Sequence, residues 1–309
     1  MLKFIVTTTI NKPTEAIYKF SKKKDWKMIV VGDKKTEHNL YKNIKNIIYL
    51  TPEDQINIDK NLSKLIGWNC IQRRNFGYIY AFKLGAEYIA SIDDDNIPSN
   101  KWGKIKINKK KKIKYFSTRK IAFDPLSIFK TNEKIWHRGF PLQLIDNKIF
   151  KTNKYKTIYA DIQANLWNGN PDIDAINRLS LREENYKFNN SYFYSSNSYM
   201  PFNSQNTIFS RKVIKNYFLF PFVGRMDDIW ASYYVQSLGY KVMFGPSTVK
   251  QDRNLHNIYT DYKNETIGYN NNLNLLEKLK VKSGNIKHFL PERSYLAFLR
   301  YKKIMKQPA

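Results

Sequence analysis

Short apolar runs recur through the first hundred residues, and each ends in a turn former or a polar cluster. Residues 2–8 end in Thr7-Thr8-Thr9, Lys27-Met28-Ile29-Val30-Val31 closes on Gly32-Asp33, and residues 47–50 lead into Thr51-Pro52-Glu53-Asp54. Nearly uncharged runs of this length predict strands buried on both faces of a sheet. Helix signals lie between them. Asn11-Lys12-Pro13-Thr14 precedes an apolar face of Ala16, Ile17 and Phe20, and Thr51-Pro52 followed by two acids predicts a second start. Gln72-Arg73-Arg74-Asn75 opens a third helix, with Phe76, Ile79, Tyr80 and Leu84 on one face and Gly85 as its C-cap. The alternation predicts an α/β fold, a mostly parallel mixed sheet flanked by helices.

A fourth run, Tyr88 to Ile92, stops in Asp93-Asp94-Asp95, with Pro98 close behind. Adjacent carboxylates repel unless solvent or a cation screens them. On a solvated loop they would be surface charge. At the carboxyl end of a buried strand, where open α/β sheets bind ligands, they suit an oxygen-preferring Mg²⁺ or Mn²⁺.

The later chain reads less clearly. Residues 101–120 are basic around Lys109-Lys110-Lys111-Lys112, which predicts a solvated loop, with a phosphate or nucleic-acid patch as the alternative. A strand is expected over 158–167, a turn over 168–172, irregular loops over 186–206, and a short helix capped by Ser210. Asp227 and Asp228 fall in the first turn of a helix carrying Trp230, Tyr234, Val235 and Leu238 and ended by Gly239. There they complement the helix dipole, or act as a catalytic base or acceptor-hydroxyl ligand on a rigid element. A last strand over 241–245 and helices from 257 onward complete the expectation. The chain divides into a domain of residues 1–256, with a nucleotide-binding half (1–100) and an acceptor half (101–256), and a helical extension (257–309) packed on it.

Composition changes this picture in three ways. With 309 residues, 42% of them hydrophobic, the chain can bury a full core. The formal charge of +27 comes from residues dispersed along the chain, so it reflects either compositional bias or attraction to anions. A non-catalytic nucleic-acid-binding protein is the rival reading from that charge, and peripheral membrane association another use of it. The single cysteine, Cys70, excludes an internal disulfide and a cysteine-based zinc site. No signal peptide and no apolar stretch of about 18 residues is read, so a soluble, cytoplasmic protein is expected.

The pieces suit transfer of a sugar from a nucleotide diphosphate. Such chemistry needs a divalent ion on the diphosphate, cations nearby, strand ends that hold the nucleoside, and an acid facing the acceptor. By residue type, Asp93, Asp95 and His256 are the metal candidates, for Mn²⁺ or Mg²⁺. Arg73 and Arg74 are candidate phosphate cations, Thr8 and Asp33 nucleoside contacts, Asp93 and Asp94 further donor contacts, and Asp227 or Asp228 the catalytic acid. The partners expected are a nucleotide sugar, UDP-linked, and a glycan or other acceptor.

Trp68-Asn69-Cys70-Ile71-Gln72-Arg73-Arg74-Asn75-Phe76-Gly77-Tyr78, followed by Asp93-Asp94-Asp95-Asn96, resembles the STELLO-type glycosyltransferase domain. Thr7 to Thr14 and Val30 to Thr36 are similar to it too. The resemblance implies a GT-A fold, a nucleotide-sugar donor and a metal at a DXD-type motif. Later segments resemble the reversibly glycosylated polypeptides, which are UDP-arabinopyranose mutases: Arg138-Gly139-Phe140-Pro141, Leu166-Trp167 with Pro171 to Ala175, and Gly224 to Ala231. There Arg138 stands where an arginine carries the sugar, which makes a self-glycosylating mutase the alternative. That family has a second arginine seven positions on, where this chain has Ile145.

Overall fold

The computed structural model describes residues 1–145, 152–181, 185–252 and 257–307. Its strands are β1 (Lys3–Thr9), β2 (Lys27–Gly32), β3 (Ile47–Leu50), β4 (Tyr88–Ile92), β5 (Asn96–Pro98), β6 (Lys110–Ser117), β7 (Thr152–Tyr159), β8 (Ile162–Gly169), β9 (Tyr194–Ser196), β10 (Asn206–Ser210) and β11 (Val242–Gln251). They form one sheet in the order β3-β2-β1-β4-β10-β8-β11-β9-β6-β7, with β5 pairing off this path to β11. The first four strands are parallel, so their carboxyl ends open on one edge of the sheet. Strand β10 enters antiparallel against β4 and begins the mixed half. The fold is α/β, of the GT-A type expected.

The helices are α1 (Glu15–Ser21), α2 (Pro52–Ile58), α3 (Lys60–Ile66), α4 (Arg74–Lys83), α5 (Ala175–Ser180), α6 (Arg211–Ile214), α7 (Asp227–Ser237), α8 (Ile258–Val281) and α9 (Glu292–Ile304). Local chemistry fixes their starts. Thr14 accepts from the Ile17 N–H, and Thr51 with Asp54 forms a full capping box at α2. Helix α4 lies tight on the sheet because Gly77 has no side chain; a Cβ there would meet Val6 at 2.4 Å and Val31 at 2.9 Å. The last two helices pack back on the domain, α8 on α5 and α7, α9 on α3. Among the described residues no helix is long and apolar enough to cross a membrane.

Four expectations change, the first being that the segment 186–206, expected as irregular loops, contains strand β9, which pairs with β6 and β11. The basic run is not a loop: Lys110–Ser117 is strand β6, antiparallel to β7 and parallel to β9. Ile113 and Phe116 are buried, while Lys111 and Lys114 lie over the rings of Phe193 and Tyr192. Lysine stems covering aromatic faces let a basic segment take a strand. The strand expected over 158–167 is two strands parted at Asp161, whose carboxylate and backbone both bond the backbone of Lys241. Strand β11 continues past Gly245 to Gln251 through an irregularity in register, and this extension reaches the acidic loop.

Candidate functional site

At the carboxyl ends of the parallel strands a cleft of about 330 Å³ opens, lined by Thr8, Thr9, Asn11, the Asp93–Asp95 loop, Arg138, Asp172, Asp227, Asp228 and Gln251, among others. The β1 end fixes the acidic loop. Thr9 Oγ1 and Asn11 Nδ2 donate to Asp94 Oδ2 at 2.5 and 3.0 Å, and Thr14 donates to the Asp94 carbonyl. Asp94 is therefore held by its neighbours. Asp93 is held from the other side by Arg74, whose Nη2 lies 2.6 Å from Oδ1. The same guanidinium donates to Ser91 and to the carbonyl and hydroxyl of Ser204, so it joins β4 to the loop before β10. The Asp95 carbonyl accepts from the Asp252 N–H at 3.1 Å, which seats the loop against the end of β11.

Across the cleft, a tight turn over Gly224–Met226 delivers Asp227 and Asp228 to the first turn of α7. Both are nearly buried. Gln72 donates to Asp227 Oδ2 at 2.9 Å and orients that carboxyl. Burial, then the neighbouring charge of Asp228, raises the Asp227 pKa to about 7 against the pull of Arg138. Asp228 is held by Arg138 Nη2 at 3.0 and 3.1 Å and by the backbone N–H and hydroxyl of Ser204.

Arg138 belongs to a buried network of alternating charge. Its Nε donates to both oxygens of Asp172, its Nη2 to Asp228, and its Nη1 to the Arg225 carbonyl. Arg225 in turn bonds Asp172, Asp261 and Glu265. Every nitrogen of Arg138 is thus a donor within the network, so the nucleophile that the mutase alternative requires is engaged. Next to it His137 is fully buried and bonds the Arg138 carbonyl; burial lowers its pKa to about 4, which keeps it neutral.

The cleft brings together Thr8, Arg74, Asp93, Asp94, Asp95, Arg138, Asp227 and Asp228. It leaves out two expected contacts. Arg73 turns away: its Nε bonds Gln55, its Nη1 bonds Ser63 and the Gly67 carbonyl, and its guanidinium stacks 3.8 Å from the Trp68 ring. Its burial lowers its pKa to about 10. Asp33 is buried beneath the β2 end, accepting from the N–H groups of Lys34 and Cys70, and so shapes the loop without lining the cleft. His256 lies outside the described residues, four positions past Asp252.

Among the described residues no group of three or more His, Cys, Asp or Glu side chains is disposed to hold a metal ion. Asp93 and Asp95 nevertheless present hard oxygen donors to one cleft, the type a divalent cation of this class takes, with room for further oxygens from a ligand. Sequence reasoning missed Asp172, Arg225, Gln72 and the Gln205–Gln251 pair, joined at 2.9 Å. Asp172 was read as a turn residue and Arg225 as the neighbour of the acid pair; both fall in segments that carry a family resemblance, but neither was given a role.

No family model matches the chain. It is 23% identical over 278 residues to two proteins of Arabidopsis thaliana, named probable glycosyltransferase STELLO2 and probable glycosyltransferase STELLO1. Each comparison takes in 81% of this chain and 36% of the relative, so the chain spans about a third of the length of the curated relatives it matches. The resemblance to STELLO-type proteins drawn from the first hundred residues thus extends through most of the chain.

Proposed function

We propose that this chain is a glycosyltransferase that moves a sugar from a nucleotide-diphosphate donor, UDP-linked, to a hydroxyl of a glycan or other acceptor, with Mn²⁺ or Mg²⁺. One observation carries the reading: the Asp93–Asp95 strand end and the Asp227–Asp228 helix start, 132 residues apart from Asp95 to Asp227, line the same cleft. Similarity to probable glycosyltransferases supports it.

In this reading Asp93, Asp95 and His256 would hold the divalent ion, which would neutralise the negative charge that grows on the departing diphosphate. Thr8 and Asp94 lie on the donor side, at the ends of adjacent strands where a nucleoside binds in such sheets. Arg74 keeps Asp93 in place. The acceptor oxygen bonds to the anomeric carbon while the bond from that carbon to the phosphate oxygen breaks. Its electron pair leaves with the nucleoside diphosphate, and the hydroxyl proton passes to Asp227. A carboxyl with a pKa near 7 is well matched to that proton near neutral pH.

The test is hydrolysis and transfer of UDP-sugars with Mn²⁺ by the wild type and by Asp95→Ala. The variant should lose metal-dependent turnover by about two orders of magnitude or more. Wild-type turnover in that variant would sink the assignment.

A further inference from the structure

A second cavity, of about 520 Å³, opens at the other end of β11. Gly239 to Val242 line it, whereas Gln251 lines the first cleft, and the strand between them spans roughly 30 Å at 3.3 Å per residue. Its cations come from four separate parts of the fold: Arg119 and Lys120 after β6, Lys156 on β7, Lys241 before β11 and Lys280 at the end of α8. Among the described residues no carboxylate lines it. Among the described residues none of the five cations forms an ion pair. The neighbouring Asp161 is engaged by Lys212 Nζ at 2.5 Å and by the Lys241 N–H.

Five like charges around one concavity repel one another, and among the described residues none of them is paired with a carboxylate. The walls are chemically specific as well. Tyr115, Tyr159 and Tyr199 present rings with polar tips, Lys156 lying 4.6 Å from the Tyr115 ring centre. Thr118 adds a hydroxyl to the wall, while those of Ser196 and Ser198 donate to the Asn197 side chain and the Lys120 carbonyl. Cations and hydroxyl donors suit phosphate oxygens, and aromatic faces suit the carbon skeleton of a saccharide or polyol ring.

We propose that this cavity is a second binding site, distinct from the sugar-transfer cleft, for a multiply phosphorylated sugar or polyol, either free in solution or as a lipid headgroup. It is independent of the proposed transfer reaction, since it shares no lining residue with that cleft. The dispersed charge of the chain becomes functional at this one place, where five cations meet without acids.

Titration calorimetry with inositol hexakisphosphate tests the proposal on the whole chain. The triple variant Lys156→Gln, Lys241→Gln, Lys280→Gln removes three exposed charges, none of them in an ion pair among the described residues, and its melting temperature checks that the fold survives loss of the Lys156–Tyr115 contact. It should bind at least about 10-fold more weakly, with a shallower salt dependence. A charge-matched control, Lys24→Gln, Lys42→Gln, Lys45→Gln, lies toward the opposite edge of the sheet and should stay within about 2-fold of wild type. Equal losses in the two variants, or no loss in the first, overturn the site. Vesicles of phosphatidylcholine with and without phosphatidylinositol 4,5-bisphosphate separate the sources. Binding that requires both the phosphorylated lipid and the three lysines assigns a headgroup; calorimetric binding without vesicle binding assigns a free ligand.

Discussion

Asp227 joins two properties that seldom coexist in one carboxyl, near-complete burial and a place in the lining of a cleft. Its raised pKa of about 7 has consequences of opposite sign for activity and stability. In the proposed role of base it must be ionised, so turnover should rise with pH through about 7 and level off above. For stability the folded form holds its proton more tightly than the unfolded chain, whose carboxyl titrates near the ordinary value of about 3.9. Its contribution is therefore complete below about pH 4 and is lost as pH rises toward and through 7. Asp227→Asn should lower transfer by about 10²- to 10⁴-fold and remove the limb near 7 from the rate profile. It should also flatten the fall in melting temperature between pH 5 and 8. Some slope will remain, because burial lifts Asp174 to about 7 in the same way. A full rate profile with its limb intact in the variant would remove Asp227 from the proton path.

Arg73 and Arg74 make the opposite comparison, two neighbours of one residue type with different tasks. Arg74 aims at Asp93, while Arg73 closes the turn between α3 and α4 through Gln55, Ser63 and Gly67. Arg73→Ala removes a donor from the Gln55 amide oxygen, the Ser63 hydroxyl and the Ser63 and Gly67 carbonyls, and should cost about 3 kcal/mol in denaturant unfolding. Donor affinity of the folded variant should stay within about 2-fold of wild type, since the side chain does not reach the cleft. A large rise in the donor KM with unchanged stability would return Arg73 to the phosphates.

Among elements, helix α8 does the least obvious work. Arg225 reaches from the turn before α7 to Asp261 and Glu265 on α8, and Glu265 also accepts from the Ala175 N–H and from Tyr269. The two backbones touch where Gly224 faces Asn264, whose carbonyl would lie 1.9 Å from an added Cβ. Gly224 also holds a positive φ of 57°. Gly224→Ala must therefore push α8 away from the turn that carries the acid pair. Faster amide exchange over residues 258–281 and weaker transfer should appear together in this variant. Exchange unchanged from wild type would show that α8 is not tied to the site.

The same element shows where sequence reasoning stopped. Strands β1 to β4 were legible because each is a short apolar run, buried in β1, β2 and β4 and half-buried at the edge strand β3, and Asp93–Asp95 because charge follows such a run abruptly. The acid pair was legible as a helix start. Asp172, Arg225 and Glu265 were not, because their meaning lies in contacts 40 and 53 residues apart that leave no local period. Strand β6 failed for a related reason: its lysines signal solvent, and only the rings of Phe193 and Tyr192, far along the chain, reveal them as covering groups.

For the whole molecule, the proposed donor site spans two halves of one sheet, which predicts how ligand binding should register in global stability. A ligand that binds only the folded chain at 100 times its Kd adds about 2.7 kcal/mol. In a chain of 309 residues each kcal/mol is worth about 2 °C, so UDP-sugar with Mn²⁺ should raise the melting temperature by about 5 °C. The two variants should divide this effect. Asp95→Ala removes a carboxylate from the strand end that would meet the diphosphate, so the shift should vanish. Asp227→Asn leaves that end intact, held by Thr9, Asn11 and Arg74, so the shift should persist although transfer does not. Loss of the shift in both variants would mean that the acid pair contributes to donor binding itself. Persistence in both would mean that the donor binds away from Asp95, because an upward shift of that size requires contact with a group the folded state presents.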